Sequence, residues 1–239
     1  MWYLFNQALK RFFDVLLCFI ALFLLIPVWI AIAVAIRCDS RGPILFAQER
    51  RTKNGRIFKM YKFRSMVVNA EQMGAGLFNY ENDPRVTKVG RFLRNTSLDE
   101  LPQLWNVLKG DISLVGPRPC VSYELGDFET LNSRYKKRFE VKGGITGLAQ
   151  VKGRNDISWD EKVTYDNLYV EKFKKQGVWL DIKILALTVA KVFQTEDIYE
   201  EKADENMDDA EAAKLAEEEI IRIAHLPDEK SAENTEIIR

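Results

Sequence analysis

The sequence predicts a mainly helical α+β protein in three parts, on three observations. An uncharged apolar run fills Val15–Ile36. Alternating residues on either side of Asn54-Gly55 mark a β-hairpin. Beyond Leu98 apolar residues recur mostly at helical spacing, and from Glu196 the composition turns acidic. The 239 residues suit one domain with appendages. Residues 1–40 form a membrane-seeking segment, 41–195 the body, and 196–239 an acidic, partly helical tail.

At ~1.5 Å per residue the 22 residues of the apolar run reach ~33 Å, enough to cross a bilayer if straight. The run is too long for a cleavable signal and lacks a small-residue cleavage site. Pro27 removes one helix hydrogen bond. Lys10 and Arg11 precede the run, and Arg37 and Arg41 follow it, so both ends favour the cytoplasm. A helix broken at Pro27 satisfies this by entering and leaving through one face, but kinked spanning helices carry proline too. The residues alone leave both topologies open. Trp2-Tyr3-Leu4-Phe5 and Phe12-Phe13 have the composition of an interfacial anchor.

In the body, Ile44–Met66 reads as the hairpin, Asn69–Asp83 as a loop or short helix, and Val86–Leu93 as a short basic connection. Leu98–Leu108 reads as a helix ended by Gly110, with Ser97 and Glu100 as a capping box and Pro102 disturbing its first turn. Tyr123–Arg138 has a helical pattern with a basic end. Gly143–Gly147 is a glycine-rich loop leading into a short strand, LAQVKGR. Ile157–Phe173 and Leu180–Phe193 read as helices, the second with Lys183 and Lys191 on one face, suited to a membrane surface. The tail is expected to be mostly solvated, with helix propensity at Glu211–Ala224.

The formal charge of zero hides a division. From Glu196 onward 16 acidic residues face 5 basic ones, a net of −11, which leaves +11 on residues 1–195. Such a body favours anionic lipid or phosphorylated ligands. No nucleic-acid motif appears, which argues against that partner. Cys18, Cys38 and Cys120 have no metal-ligand spacing and read as buried or lipid-facing thiols of a reducing compartment. The only histidine, His225, lies in the tail. That excludes Ser-His-Asp, Cys-His and HExxH chemistry from the body and leaves carboxylates, Lys, Arg, Tyr and backbone groups.

Arg94–Pro119 concentrates those groups. Asp99 and Glu100 stand side by side between Arg94, Lys109 and Arg118. Paired carboxylates attract a hard cation and arginines attract phosphate oxygens, so a site with both points to phosphoryl transfer. Pro117-Arg118-Pro119 is a stiff turn presenting one guanidinium. Lys62 and Arg64 mark an exposed strand face or part of the site. The Gly143–Gly147 loop lacks the Lys-Ser/Thr of a P-loop.

Four segments, KRFFDV before the apolar run, YKFRSM, SLDELPQLWNVLKGDISLVGPRP and GITGLAQVKGR, carry a resemblance. From about Lys10 to Phe193 the chain resembles the bacterial sugar transferase family, in its small monotopic phosphoglycosyl transferases. The resemblance implies a re-entrant N-terminal membrane helix broken near Pro27 and a small cytoplasmic catalytic domain with interfacial amphipathic helices. Ile26 replaces a frequent serine, and Gly143 a frequent proline. It implies a phosphosugar passing from a UDP-sugar to a polyprenol phosphate, expected to be undecaprenyl phosphate, at the cytoplasmic leaflet of the bacterial plasma membrane. UMP leaves, and Mg²⁺ is the cofactor. Carried over by position, Asp99 is the nucleophile and forms a covalent intermediate, and Glu100 holds Mg²⁺ together with Asp99. Arg94, Arg118 and Arg154 bind phosphate, Lys62 adds charge or orients the carboxylates, and Asp166 completes the polar shell. A homo-oligomer is allowed. Two other classes stay open: a membrane-attached scaffold, which would need no paired carboxylates, and a glycosyltransferase that releases UDP. No residue pattern identifies the sugar.

Overall fold

The computed structural model describes residues 1–73, 76, 83–153, 157–192 and 218–226. The apolar run forms two helices, α1 (Trp2–Leu24) and α2 (Ile26–Asp39), which meet at Leu25 with a bend of 62°. Pro27 stands in the first turn of α2, where amides have no intrahelical acceptor and a missing N–H costs nothing. The proline therefore starts the second helix. Among the described residues no single helix is long and apolar enough to cross a membrane, although the bent pair together meets that test.

Both limbs of the pair are fastened to one body. Lys10 donates to Val115 O at 2.8 Å and pairs with Asp181 at 2.6 Å. Arg11 donates to Val107 O and Leu108 O, and Asp14 accepts from Ser113 Oγ at 2.7 Å and Leu114 N at 3.1 Å. At the far end, Asp39 accepts from Val89 N at 3.0 Å, and Arg64 donates to Ser40 O and Arg41 O at 2.8 Å. Arg64 is buried and belongs to this fastening, not to an exposed strand face. The elbow stays bare, with Phe23 70% and Leu24 67% exposed.

The hairpin forms as expected from β1 (Leu45–Arg51) and β2 (Ile57–Phe63), with Leu45 opposite Phe63 and Arg51 opposite Ile57. Asn54 and Gly55 turn the chain with φ of 57° and 74°, conformations that asparagine and glycine tolerate best. Helix α3 (Lys88–Asn95) follows, capped by the Thr87 side chain accepting from Gly90 N, where a plain connection was expected. Leu98–Glu100 is a single 3₁₀ turn, and α4 (Gln103–Lys109) starts after Pro102. The expected capping box is absent there: Ser97 sits at φ 55° and its side chain caps nothing. A capping box does form at Ser158 and Glu161, where a later helix starts at Trp159.

Strands β3 (Ser113–Val115) and β4 (Cys120–Val121) flank the Pro117-Arg118-Pro119 turn. β4 joins the free edge of β1, and β3 pairs in parallel with β5 (Gly144–Thr146). That pairing presses Gly147 against the turn, since a Cβ there would lie 2.2 Å from Gly116 O. Of Tyr123–Arg138, expected to be helical, only Ser133–Lys137 forms an α-helix, α5, preceded by a 3₁₀ turn at Phe128–Thr130. LAQVKGR is not a strand, because Leu148–Gly153 forms helix α6. Helices α7 (Trp159–Gln176) and α8 (Val178–Val192) match the periodicity. Gly177 joins them at φ 60°, and a Cβ there would lie 1.9 Å from Asn6 Oδ1 of α1.

Apolar packing unites these pieces. Tyr169, Phe173, Leu180 and Ile184 of α7 and α8 close over Val115, while Cys18 of α1 packs with Phe58, Met60 and Val107, and Ile32 and Ile36 of α2 with Phe63 and Leu93. Cys18 and Cys120 are buried, and Cys38 is exposed. The tail is not wholly solvated. Residues 218–224 are helical and lay Ile220, Ile223 and Ala224 on a cluster formed by Cys120, Leu125, Leu131, Tyr135, Phe139 and Val163. Asn132 binds Ala224 O through its N–H at 3.0 Å. His225 lies 3.0 Å from both Leu125 O and Thr130 Oγ1.

Ala224 is 0% exposed, so Ala224→Arg should destabilise the body by ~2–3 kcal/mol through a buried unpaired charge. Thermal unfolding of the full chain should show this as a fall of roughly 5–10 °C in Tm. An unchanged Tm would mean that this segment contributes no packing.

Candidate active site

The site is assembled from three chain segments that meet beside the hairpin. The 3₁₀ turn at Leu98–Glu100 supplies both carboxylates, and Asp99 is buried at 6% exposure. The end of β2 brings Lys62 Nζ to 3.0 Å from Glu100 Oε1 and 3.9 Å from Asp99 Oδ2. The proline-flanked turn aims Arg118 at Glu100, with Nη1 3.2 Å from Oε2 and Nη2 bound to Oε1. Glu100 thus holds two cations at hydrogen-bonding distance, whereas Asp99 has only the longer 3.9 Å pair with Lys62.

Burial pushes the Asp99 carboxyl above its ordinary value. Lys62 opposes the rise, Glu100 adds to it, and Arg94 and Arg118 oppose it further. Burial would also raise Glu100, but Arg118 and Lys62 outweigh it and hold Glu100 well below the carboxylate range. The two neighbours are driven apart: Glu100 is a fixed anion, while Asp99 carries the less stabilised charge.

Arg118 is aimed by its backbone. Arg138 Nη2 donates to Arg118 O at 2.7 Å, and Arg50 Nη1 donates to Pro119 O at 2.9 Å. Arg138 is paired in turn with Asp166, its Nε 2.9 Å from Oδ2. These residues border a cleft of about 820 Å³, whose lining also includes Lys62, Arg94, Asp99, Glu100 and Arg118. That volume is in the range of small-molecule sites.

Of the residues singled out from sequence, Lys62, Arg94, Asp99, Glu100, Arg118 and Asp166 all border this cleft. Asp166 does so while bound to Arg138. Arg154 lies outside the described residues. Lys109 turns away and pairs with Asp111 at 3.1 Å. Arg50 and Arg138 escaped the sequence reading because each sits in a run of basic residues, where nothing marks the one that turns inward.

Among the described residues no three His, Cys, Asp or Glu side chains gather to hold a metal. Mg²⁺ does not require that, as it binds through one or two carboxylates completed by substrate phosphate and water. Asp99 and Glu100 fit this mode, with Asp99 the less encumbered of the two.

A carboxylate pair held by cations, beside a cleft of this volume on a small α+β body, has the chemistry to handle phosphate. The chain belongs to the bacterial sugar transferase family, whose pattern it matches over residues 5–195. It is 46% identical over 194 residues to the galactosyl transferase CpsE of Streptococcus agalactiae, covering 77% of this chain and 42% of that protein. It is 42% identical over 199 residues to a UDP-glucose:undecaprenyl-phosphate glucose-1-phosphate transferase of Klebsiella pneumoniae, covering 81% and 42%. Identity is also 42%, over 208 residues, to an undecaprenyl-phosphate galactose phosphotransferase of Salmonella typhimurium, again covering 81% and 42%. The chain thus spans about two fifths of the length of these relatives.

The raised Asp99 pKa has a consequence for stability. A carboxyl raised on folding stabilises the fold below its unfolded pKa, near 3.8, and loses that contribution as pH rises through its folded value. Asp99→Asn removes the buried charge, so its Tm should exceed the wild-type Tm at pH 8, and the two should converge near pH 4. Thermal unfolding at both pH values checks this. A wild type as stable as the variant at pH 8 would contradict the assignment.

Proposed function

We propose that this protein transfers a phosphosugar from a UDP-sugar to undecaprenyl phosphate, the acceptor named for several relatives, in two displacements on Asp99. The observation that carries the reading is the split between neighbours. Glu100 is locked by Lys62 and Arg118, while Asp99 is buried beside the same cations without being consumed by them. In the first displacement an Asp99 carboxylate oxygen attacks the sugar-bearing phosphorus. The bond from that phosphorus to the bridging oxygen breaks, and UMP departs with that oxygen and the electron pair. In the second, a phosphate oxygen of the polyprenol attacks the same phosphorus, Asp99 is released, and the product is a polyprenyl diphosphosugar.

Arg118 and Lys62 place positive charge beside the diphosphate, and Arg94 adds to it. Arg154, by the family resemblance, is assigned the same role. Arg138 and Asp166 act through Arg118 by holding its carbonyl. Mg²⁺, bound by Asp99 and Glu100, would supply charge neutralisation for the leaving phosphate. A carboxylate nucleophile keeps the transferred group activated as an acyl phosphate and needs no histidine.

The bent helix pair supports a re-entrant seat in the cytoplasmic leaflet. Both limbs are pinned to one body, and the bare elbow at Phe23 and Leu24 is the part left to enter lipid. A unique cysteine near residue 2, in a Cys-free background, should resist an impermeant thiol reagent in intact cells. Ready labelling from outside would mean a spanning helix.

With UDP-sugar and no lipid acceptor, the enzyme should release about one equivalent of UMP and stop, leaving the mass of a phosphosugar on the Asp99 peptide. Asp99→Asn should lower transfer by roughly 10³-fold or more. UMP release that strictly requires the lipid, with no adduct on Asp99, would favour a single displacement.

A further inference from the structure

The cleft has a second polar wall, distinct from the Asp99–Glu100 cluster, where hydrogen-bonding capacity is left over. On α6, both Gln150 amide atoms, Oε1 and Nε2, are shielded from solvent and lack a partner among the described residues. On α7, which packs beside α6, Asp166 gives Oδ2 to Arg138 and leaves Oδ1 unpartnered. Arg138 Nη1 is likewise without a hydrogen-bond partner. Asp166 and Arg138 are 1% and 3% exposed, and all three residues line the cleft. Buried polar atoms are rarely left unmet in native proteins, and four of them around one cleft point to a ligand that meets them.

The unmet atoms define that ligand's chemistry. Gln150 Oε1 and Asp166 Oδ1 accept hydrogen bonds, while Gln150 Nε2 and Arg138 Nη1 donate. A phosphate has only acceptor oxygens, so it leaves two of these atoms unmet and is repelled by Asp166. Lys62, Arg94 and Arg118, which suit phosphate, stand with the carboxylate pair. The leftover wall fits a neutral group that both donates and accepts: the imide edge of a pyrimidine base, or sugar hydroxyls. Gly147 leaves room for this amide, because a Cβ there would lie 2.8 Å from Gln150 Oε1.

We propose that Gln150, together with the spare atoms of Asp166 and Arg138, reads the neutral polar part of the donor and thereby sets donor choice. The proposal rests on the nucleotide-sugar reading above. The full chain in lipid nanodiscs that contain undecaprenyl phosphate is first scored for UMP release across a panel of UDP-sugars. No release from any of them removes the nucleotide-sugar reading, and this proposal with it. With an active donor in hand, Gln150→Ala is compared with wild type on that donor, on its N3-methyluridine analogue and on analogues lacking one sugar hydroxyl each. The expected loss on the parent donor is about 10–100-fold in kcat/KM. It should shrink below about three-fold on the analogue whose missing group is the partner of Gln150. Shrinkage on the methylated base identifies a base reader, and shrinkage on a deoxy-sugar identifies a sugar reader. Gln150→Glu keeps the side-chain shape and serves as the second variant if the alanine protein fails to fold. A loss of equal size on every donor, as a merely structural glutamine would give, or no loss on the parent, overturns the proposal.

Discussion

Two adjacent carboxylates in one short turn, Asp99 buried and Glu100 half-buried, cannot both be stable anions unless cations come to them, and much of this fold is organised by that demand. Glu100 takes Lys62 from the hairpin and Arg118 from the proline-flanked turn. Each cation has to be delivered by a different part of the chain. The turn is held by Arg138 and Arg50 through two carbonyls, and Arg138 needs Asp166 from α7 to be buried at all. Asp99 is the residue left over when these pairings are complete. Its unfavourable burial is the strained element that the surrounding charges sustain.

The N-terminal helices belong to the same construction. Lys10, Arg11 and Asp14 look in sequence like charges flanking a membrane segment, yet each is spent on a contact to β3, α4 or α8. Arg11 binds the last carbonyls of α4, the helix that follows directly on the carboxylate turn. The site and the apolar elbow therefore share a frame. In the proposed reaction a soluble donor and a lipid acceptor must reach one phosphorus, and a body fixed to its own membrane-seeking helices meets that requirement without a hinge.

The docked part of the tail bears on the site at one remove. Its cluster contains Cys120, next to Pro119, and Phe139, next to Arg138, so it covers the back of the residues that aim Arg118. The acidic composition concealed this, because a helix rich in glutamate reads as solvated. Ile220, Ile223 and Ala224 are spaced to share one helical face, and the partner surface for that face exists only once Leu125, Leu131 and Tyr135 have been brought together.

Local chemistry made several features readable from sequence alone. The hairpin follows from Asn54-Gly55, which accept positive φ, and α7 and α8 follow from long periodic runs. The carboxylate pair and Arg118 were legible because they lie in one short segment, Arg94–Pro119. Other features were settled only by the tertiary structure. A serine three residues before a glutamate occurs at both Ser97 and Ser158, and only the second forms a capping box. At Ser97 the chain turns left-handed and Glu100 goes instead to Lys62 and Arg118, since two charge-assisted contacts outweigh one backbone N–H. Leu148–Gly153 became a helix because β5 ends at Thr146, where Gly147 packs against Gly116. Arg50 and Arg138 carry no local mark, as their importance lies in partners 69 and 28 residues away. Sequence spacing encodes turns and faces; which of many like residues is buried against which partner is set by packing between distant segments.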